Sequence, residues 1–246
     1  MVRILLVHGA FNEFWGPHQL KSRWLPALRD GLWHNGVEIA DADVGVCFYG
    51  DLFRRVPDAE AEHKFEKSRA GIAELLTNLA GSDVLAALGQ AASNAAFDRL
   101  VDMVTIMATK PDLRARMRAR AEAMVDDDTR VIVAHSLGTL FSYMALCNHP
   151  HWRVHTFVTL GSPLASPAIF ERLEPPPIDG KGQWPGSVER WVNVRAIGDK
   201  AAAVTLRERF GSRVEEVLID NGHRAHDPEP YLNSAATGAA IAAALA

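Results

Sequence analysis

Apolar residues come in short unbroken runs along this chain rather than at alternating positions. Six runs read as strands: Arg3–Val7, Asp43–Tyr49, Val131–Ala134, Val154–Leu160, Trp191–Ile197 and Val214–Ile219. Continuous Val/Ile/Leu-rich runs suit strands whose sheet is covered on both faces, as in parallel sheets between helical layers. Helical spacing fills most of the gaps, with Thr139–Asn148 one helix and the Ala-rich stretch from Ala235 onward the last. Strands alternating with helices predict an α/β fold. It is a three-layer α/β/α sandwich with a mostly parallel sheet of about six strands, one domain over residues 1–246.

Two gaps exceed a single crossover helix. Residues 50–128 read as several helices rich in Ala, Leu, Glu and Arg, a helical insertion or cap. Residues 161–187, GSPLASPAIFERLEPPPIDGKGQWPGS, are rich in Pro and Gly and read as an irregular, lid-like loop. Both follow strands, so they are expected near the carboxyl edge of the sheet, where open α/β sheets bind ligands. Val84–Thr109 has the length of a membrane span, but Gln90, Ser93, Asn94, Asp98, Arg99 and Asp102 interrupt it, which predicts a buried or amphipathic helix. The basic stretch around Arg116–Met124 runs into Asp126, Asp127 and Asp128 and reads as a solvated helix face.

Composition narrows the function classes. The 246 residues are 48% hydrophobic, enough for a sizeable core. A formal net charge of -4 points to neither nucleic acid nor an anionic membrane as partner, and it specifies no oligomeric state. Cys47 and Cys147 have no CxxC neighbour and make no disulfide framework; both read as buried reduced thiols. The first apolar run, from Val2, is too short for a signal h-region and lacks a small-residue cleavage site, so a cytoplasmic protein is expected.

The candidate chemistry begins where the run VIVA ends in Ala134-His135-Ser136-Leu137-Gly138. This is small-x-Ser-x-Gly between a strand and a helix. Small residues two before and two after the serine avoid collisions across a tight turn. The hydroxyl then stands at the sheet edge and at a helix N-terminus, where the Leu137 N–H and the helix dipole can stabilise an oxyanion. The pattern resembles the nucleophile elbow of the α/β-hydrolase superfamily, in particular its lipase/esterase-like members, with Ala134 in place of the commoner Gly. VHGAF (Val7–Phe11) is similar to the superfamily's oxyanion loop. The resemblance implies Ala10, or its neighbour Phe11, as the second oxyanion donor beside Leu137, with Gly9 allowing close approach. GSPL after VHTFVTL also matches; Ser162 there supports the site or caps its own turn.

In this superfamily the order is Ser, then Asp or Glu, then His. Asp199, in Gly198-Asp199-Lys200 just past a strand, is the implied carboxylate, with Asp220 next and Asp179 third. Two histidines follow the last strand. His226 directly precedes Asp227-Pro228, a good helix start, and is preferred over His223. The HxxH pair has no third ligand at a metal-site spacing, so no metal is expected. His135 reads as a buried, hydrogen-bonded side chain, and His8 as shaping the oxyanion loop.

The resemblance thus implies a serine hydrolase cleaving a carboxylic ester through Ser136, His226 and Asp199 and a covalent acyl-enzyme. Its substrate is a small molecule or acyl compound, and no cofactor is needed. A thioester or amide fits the same residues. Phe11, Phe14, Trp15 and Trp184 read either as an apolar cap or as core packing. A non-catalytic α/β-hydrolase-like binding module is the alternative from another class; the distances among Ser136, Asp199 and His226 discriminate the two.

Overall fold

The strand runs assemble into one parallel sheet in the computed structural model of the protein, which describes residues 2–54, 59–79, 102, 105, 106, 110 and 112–246. The strands are β1 (Ile4–Val7), β2 (Val44–Cys47), β3 (Val131–His135), β4 (Thr156–Leu160), β5 (Arg190–Ala196) and β6 (Glu215–Ile219). The helices are α1 (Pro17–Trp33), α2 (Ala59–Leu79), α3 (Leu113–Glu122), α4 (Leu137–Asn148), α5 (Pro167–Phe170), α6 (Leu206–Phe210), α7 (Pro228–Leu232) and α8 (Ala235–Leu245). Strand order is β2-β1-β3-β4-β5-β6, and every neighbouring pair is parallel. The chain steps from β1 outward to β2, then returns to the other side of β1 as β3. Such a reversal opens a crevice at the carboxyl ends of the two strands that flank it.

Successive side chains of a strand point to opposite faces, and here both faces are buried. Leu5, Val7, Ile132, Ala134, Phe157 and Trp191 join one core, against Leu113, Met117 and Ala121 of α3 and Tyr143 and Leu146 of α4. Ile4, Leu6, Val131, Val133, Val158, Leu160, Val192 and Val194 join the other, against Leu20, Trp24, Leu28 and Leu32 of α1 and Ile241 of α8. This two-sided burial is compatible with a three-layer arrangement. β6 departs from the unbroken apolar reading. It is one of the two edge strands and is covered incompletely, and Leu218 is 59% exposed.

Element limits fall within two residues of the expected ones. Asp43 closes a 3-10 turn (Asp41–Asp43) ahead of β2, and α4 begins at Leu137 rather than Thr139, directly after Ser136. The described part of 50–128 packs on the α4 side of the sheet: Phe65 of α2 joins that core with Leu113, Met117 and Ala121. Those three recur every four residues on α3, while Arg114 and Arg116 point to solvent, as the basic stretch predicted. Most of Val84–Thr109 lies outside the described residues. Among the described residues, no helix is long and apolar enough to cross a membrane. Both cysteines are free thiols; Cys47 is buried, whereas Cys147 is only partly so.

The Pro-rich loop does not carry its tryptophan to the sheet's carboxyl edge. Trp184 donates from Nε1 to the Val188 carbonyl, and its ring centroid lies 5.7 Å from that of Trp191. It packs beside the core, under the Arg213 guanidinium at 4.0 Å. Apolar area next to the sheet outcompetes an exposed position over the cleft.

The helices on the second face meet backbone to backbone. A Cβ placed on Gly238 of α8 would lie 1.8 Å from the Gly31 carbonyl oxygen of α1. Gly238→Ala is therefore expected to destabilise the protein by about 1–3 kcal/mol, because the two helices must separate. Gly71, inside α2, has nothing within 4 Å of the equivalent position. Gly71→Ala is expected to be neutral or to stabilise by about 0.5–1 kcal/mol. Urea unfolding of both variants checks the pair; a Gly238→Ala variant as stable as wild type would refute the packing account.

Candidate active site

The site forms where β3 turns into α4. Ser136 has φ 55 and ψ -130, a left-handed backbone that a residue with a Cβ adopts only under constraint. The constraint is visible on both sides. The Ser136 N–H extends the β3–β4 ladder by donating to Leu160 at 3.0 Å. Its carbonyl accepts from the Thr139 N–H at 3.0 Å and from Thr139 Oγ1 at 2.7 Å. Gly138 lets α4 sit against the end of β1; a Cβ there would lie 2.4 Å from the His8 carbonyl oxygen. Leu137 is the first residue of α4, so its N–H has no acceptor within the helix.

The segment after β1 runs alongside the serine: a Cβ on Gly9 would approach Ser136 Cβ to 2.7 Å. His8, buried at its base, fixes this segment. A carbonyl only accepts, so its Nδ1–H donates to the Gly9 oxygen at 2.7 Å, and its Nε2 accepts from the Tyr49 N–H at 3.1 Å. The Tyr49 hydroxyl donates to the His8 carbonyl. Ala10 and Phe11 then line the cleft beside Ser136, and Phe11 has φ 65, a second strained position in the same loop.

Asp199 and His226 arrive from the ends of β5 and β6. His226 Nε2 is 2.9 Å from Ser136 Oγ. Its Nδ1 is 2.9 Å from both carboxylate oxygens of Asp199. The carboxylate can only accept from Nδ1–H, which leaves Nε2 as an acceptor for the serine hydroxyl. Asp199 caps the 3-10 turn Lys200–Ala202 by accepting the Ala201 N–H at 2.9 Å, and it accepts the Tyr231 hydroxyl at 2.6 Å. Burial opposes its ionisation, but the hydrogen bond and charge of His226, with the bonds from Tyr231 and Ala201, hold the carboxyl below its usual range. Gly161, at φ 56, makes room for this pair. A Cβ there would lie 2.8 Å from Asp199 Oδ2 and 3.2 Å from His226 Nδ1.

Other expected residues take other places. Asp220 Oδ1 accepts the Gly222 N–H at 2.8 Å, and His223 is exposed in a 3-10 turn, Gly222–Arg224. Asp179 is exposed in the Pro-rich loop. Asp227 stands at the N-cap of α7 with Pro228 at its start, but its carboxylate makes no cap bond; Arg224 draws it away at 2.7 Å. α8 follows α7 as a separate helix, capped by Ser234. Ser162 Oγ lies 2.8 Å from Thr139 Oγ1 and accepts the Leu164 N–H at 3.3 Å. His135 is buried and hydrogen-bonded to the His226 carbonyl. Tyr231 was not visible as a site residue in the sequence; its place in the short helix after His226 is the only local cue.

A cleft of about 280 Å³ opens over Ser136, between the 10–15 loop, α1 and the start of α7. Arg23 and Arg224 both pair with Glu229 at its rim. Trp15 also walls a second cleft of about 680 Å³, with Phe48 and Met124. Phe14 there is 75% exposed, with Arg54 over its ring at 5.8 Å. Among the described residues, no cluster of His, Cys, Asp and Glu has the geometry to hold a metal ion. No protein-family model, curated protein or solved structure matches the chain.

Two buried imidazoles set an acid limit on stability. Burial pushes His8 down to about 4; burial, then the charge of His226, pushes His135 down to about 3. Unfolded, each titrates near 6.5. Below that pH the unfolded chain binds more protons, so stability falls as pH drops from 6.5 toward 4, by about 1.4 kcal/mol per pH unit for each histidine. Asp199, whose carboxyl is held low, loses its contribution only at still lower pH. The urea midpoint is expected to be clearly lower at pH 5.0 than at pH 7.5; an unchanged midpoint would mean the two rings are charged in the folded protein.

Proposed function

We propose that the protein is a serine hydrolase that cleaves a carboxylic ester by acyl transfer to Ser136, a member of the α/β-hydrolase superfamily as the sequence resemblance implies. The observation that carries this reading is the hydrogen-bonded chain Ser136–His226–Asp199, each link 2.9 Å long. A serine hydroxyl near neutral pH is a poor nucleophile, and a base within hydrogen-bond reach that is itself oriented by a buried carboxylate is what activates it. The strand order and the two-sided covering of the sheet are compatible with the superfamily.

In this mechanism Ser136 Oγ attacks the ester carbonyl carbon as its proton passes to His226 Nε2. Negative charge develops on the former carbonyl oxygen, and the backbone N–H groups of Leu137 and Ala10 are the donors assigned to it. Such a donor is typically worth about 3–4 kcal/mol in the transition state. The tetrahedral species collapses by breaking the bond to the leaving alcohol oxygen, which takes the proton from His226. Water then enters. His226 removes one of its protons, the resulting hydroxide attacks the acyl carbon, and the Ser136 oxygen leaves with the proton returned by His226. Asp199 remains ionised, keeps the imidazole in the Nδ1–H tautomer and stabilises its cation. An ester is the assigned substrate because its carbonyl is attacked more easily than an amide's.

Wild type is expected to react covalently with a fluorophosphonate probe and to hydrolyse p-nitrophenyl acetate, and Ser136→Ala is expected to do neither. His226→Ala should lower the labelling rate by about 10³-fold or more, Asp199→Asn by about 10²–10⁴-fold, and His223→Ala should leave it unchanged. Intact esterase activity in a folded Ser136→Ala variant would refute the assignment. An unlabelled, folded wild type would favour a binding role for the cleft.

A further inference from the structure

His135, the residue before Ser136, makes a contact with His226 that the acyl-transfer scheme does not use. His135 Nε2 lies 2.8 Å from the main-chain carbonyl oxygen of His226. A carbonyl has no proton to give, so His135 carries its proton on Nε2 and donates it. His135 is buried, and its ring is held on several sides. Trp24 of α1 meets it edge-on at 6.2 Å, Tyr231 of α7 lies at 6.0 Å, and the His226 ring lies at 4.9 Å. Its own backbone is the last residue of β3, which pairs with Leu160 of β4. A rigid strand end thus presents a rigid donor to a loop.

Beyond that contact, Ala225 of the loop is buried and Glu229 pairs with Arg23 of α1. The loop's other bonds are mostly local. Gly222 N–H goes to Asp220, Asn221 Nδ2 to the Ala225 carbonyl at 3.3 Å, and Arg224 to Asp227 and Glu229. They shape the segment from 220 to 229 but do not tie it to the sheet. Asp199 holds the ring of His226, not its main chain. With only the ring tethered, the backbone could slide and the ring could swing about Nδ1, carrying Nε2 away from Ser136.

We propose that His135 is a positioning residue. Its Nε2–H clamps the main chain of His226 to the strand that carries Ser136, so that the gap from His226 Nε2 to Ser136 Oγ is set by one side chain rather than by the length of the 220–227 loop. For its catalytic consequence the proposal rests on the serine-hydrolase reading; for its geometry it does not. The ring also suits its place when His226 becomes a cation. Burial keeps His135 uncharged, so no like charge sits 4.9 Å from the imidazolium. A displacement of about 1 Å between nucleophile and base costs on the order of 10²-fold in rate.

The test compares two amides that bury alike but reach differently. In His135→Gln the amide NH₂ extends about as far as Nε2 of the histidine and can meet the same carbonyl. In His135→Asn it stops one bond short. The expected result is a fluorophosphonate labelling rate and an ester kcat on the order of 10²-fold lower in His135→Asn, with KM little changed and with His135→Gln within about fivefold of wild type. Both variants should melt at similar temperatures, which separates position from stability. Crystal structures should show the His226 Nε2–Ser136 Oγ gap kept in His135→Gln and widened beyond hydrogen-bond reach in His135→Asn. Equal rates and equal gaps in the two variants would overturn the clamp, as would losses that follow melting temperature alone. If wild type takes no label, the hydrolase reading fails and the crystallographic gap alone decides the clamp.

Discussion

Much of this molecule depends on one strained residue, Ser136. A left-handed backbone with a Cβ costs on the order of 1–3 kcal/mol. It persists only because the elements on either side cannot relax. β3 is buried along its whole length between β1 and β4, and α4 is packed against the end of β1 through Gly138. Relaxing the turn would break the ladder bond to Leu160 and pull Thr139 from the Ser136 carbonyl. The hydrophobic layers on both sheet faces therefore do more than stabilise the fold. They hold a hydroxyl at the carboxyl edge in a direction the chain alone would not choose.

A parallel sheet also explains how distant residues meet. All six strands point the same way, so the segments after β1, β3, β4, β5 and β6 emerge at one edge. His8–Phe11, Ser136, Gly161, Asp199 and His226 are contributed one segment each. Asp199 is buried, and its burial is tolerated because Ala201, Tyr231 and His226 all donate to it. Removing those donors would leave a buried carboxylate that prefers to be neutral and could no longer orient the imidazole.

The strands were legible because two-sided burial writes itself as unbroken apolar runs. β6 was the least faithful case, being an edge strand whose outer positions tolerate polar and exposed side chains. Trp184 was ambiguous in the same way. An isolated Trp in a Pro-rich loop reads equally as cap or core, and it went to the core beside Trp191 because buried area was within reach. Asp227 shows the limit of capping rules. It occupies the N-cap position, yet Arg224 offers its carboxylate a charged partner stronger than a backbone N–H.

By itself the sequence determined the alternation of strands and helices and the tight small-x-Ser-x-Gly turn. These are local properties, written in residue size, branching and spacing over a few positions. Only the tertiary structure decided that His226 rather than His223 meets Ser136, and that Asp199 rather than Asp220 meets His226. It also decided that Tyr231, Gly161 and His135 surround them. Those outcomes depend on contacts across 27 to 91 residues of chain. Two histidines three positions apart on one loop have nearly the same local pattern. Which of their rings faces the sheet is set by the packing of β5, β6 and α7 around them, and no short window of sequence contains that packing.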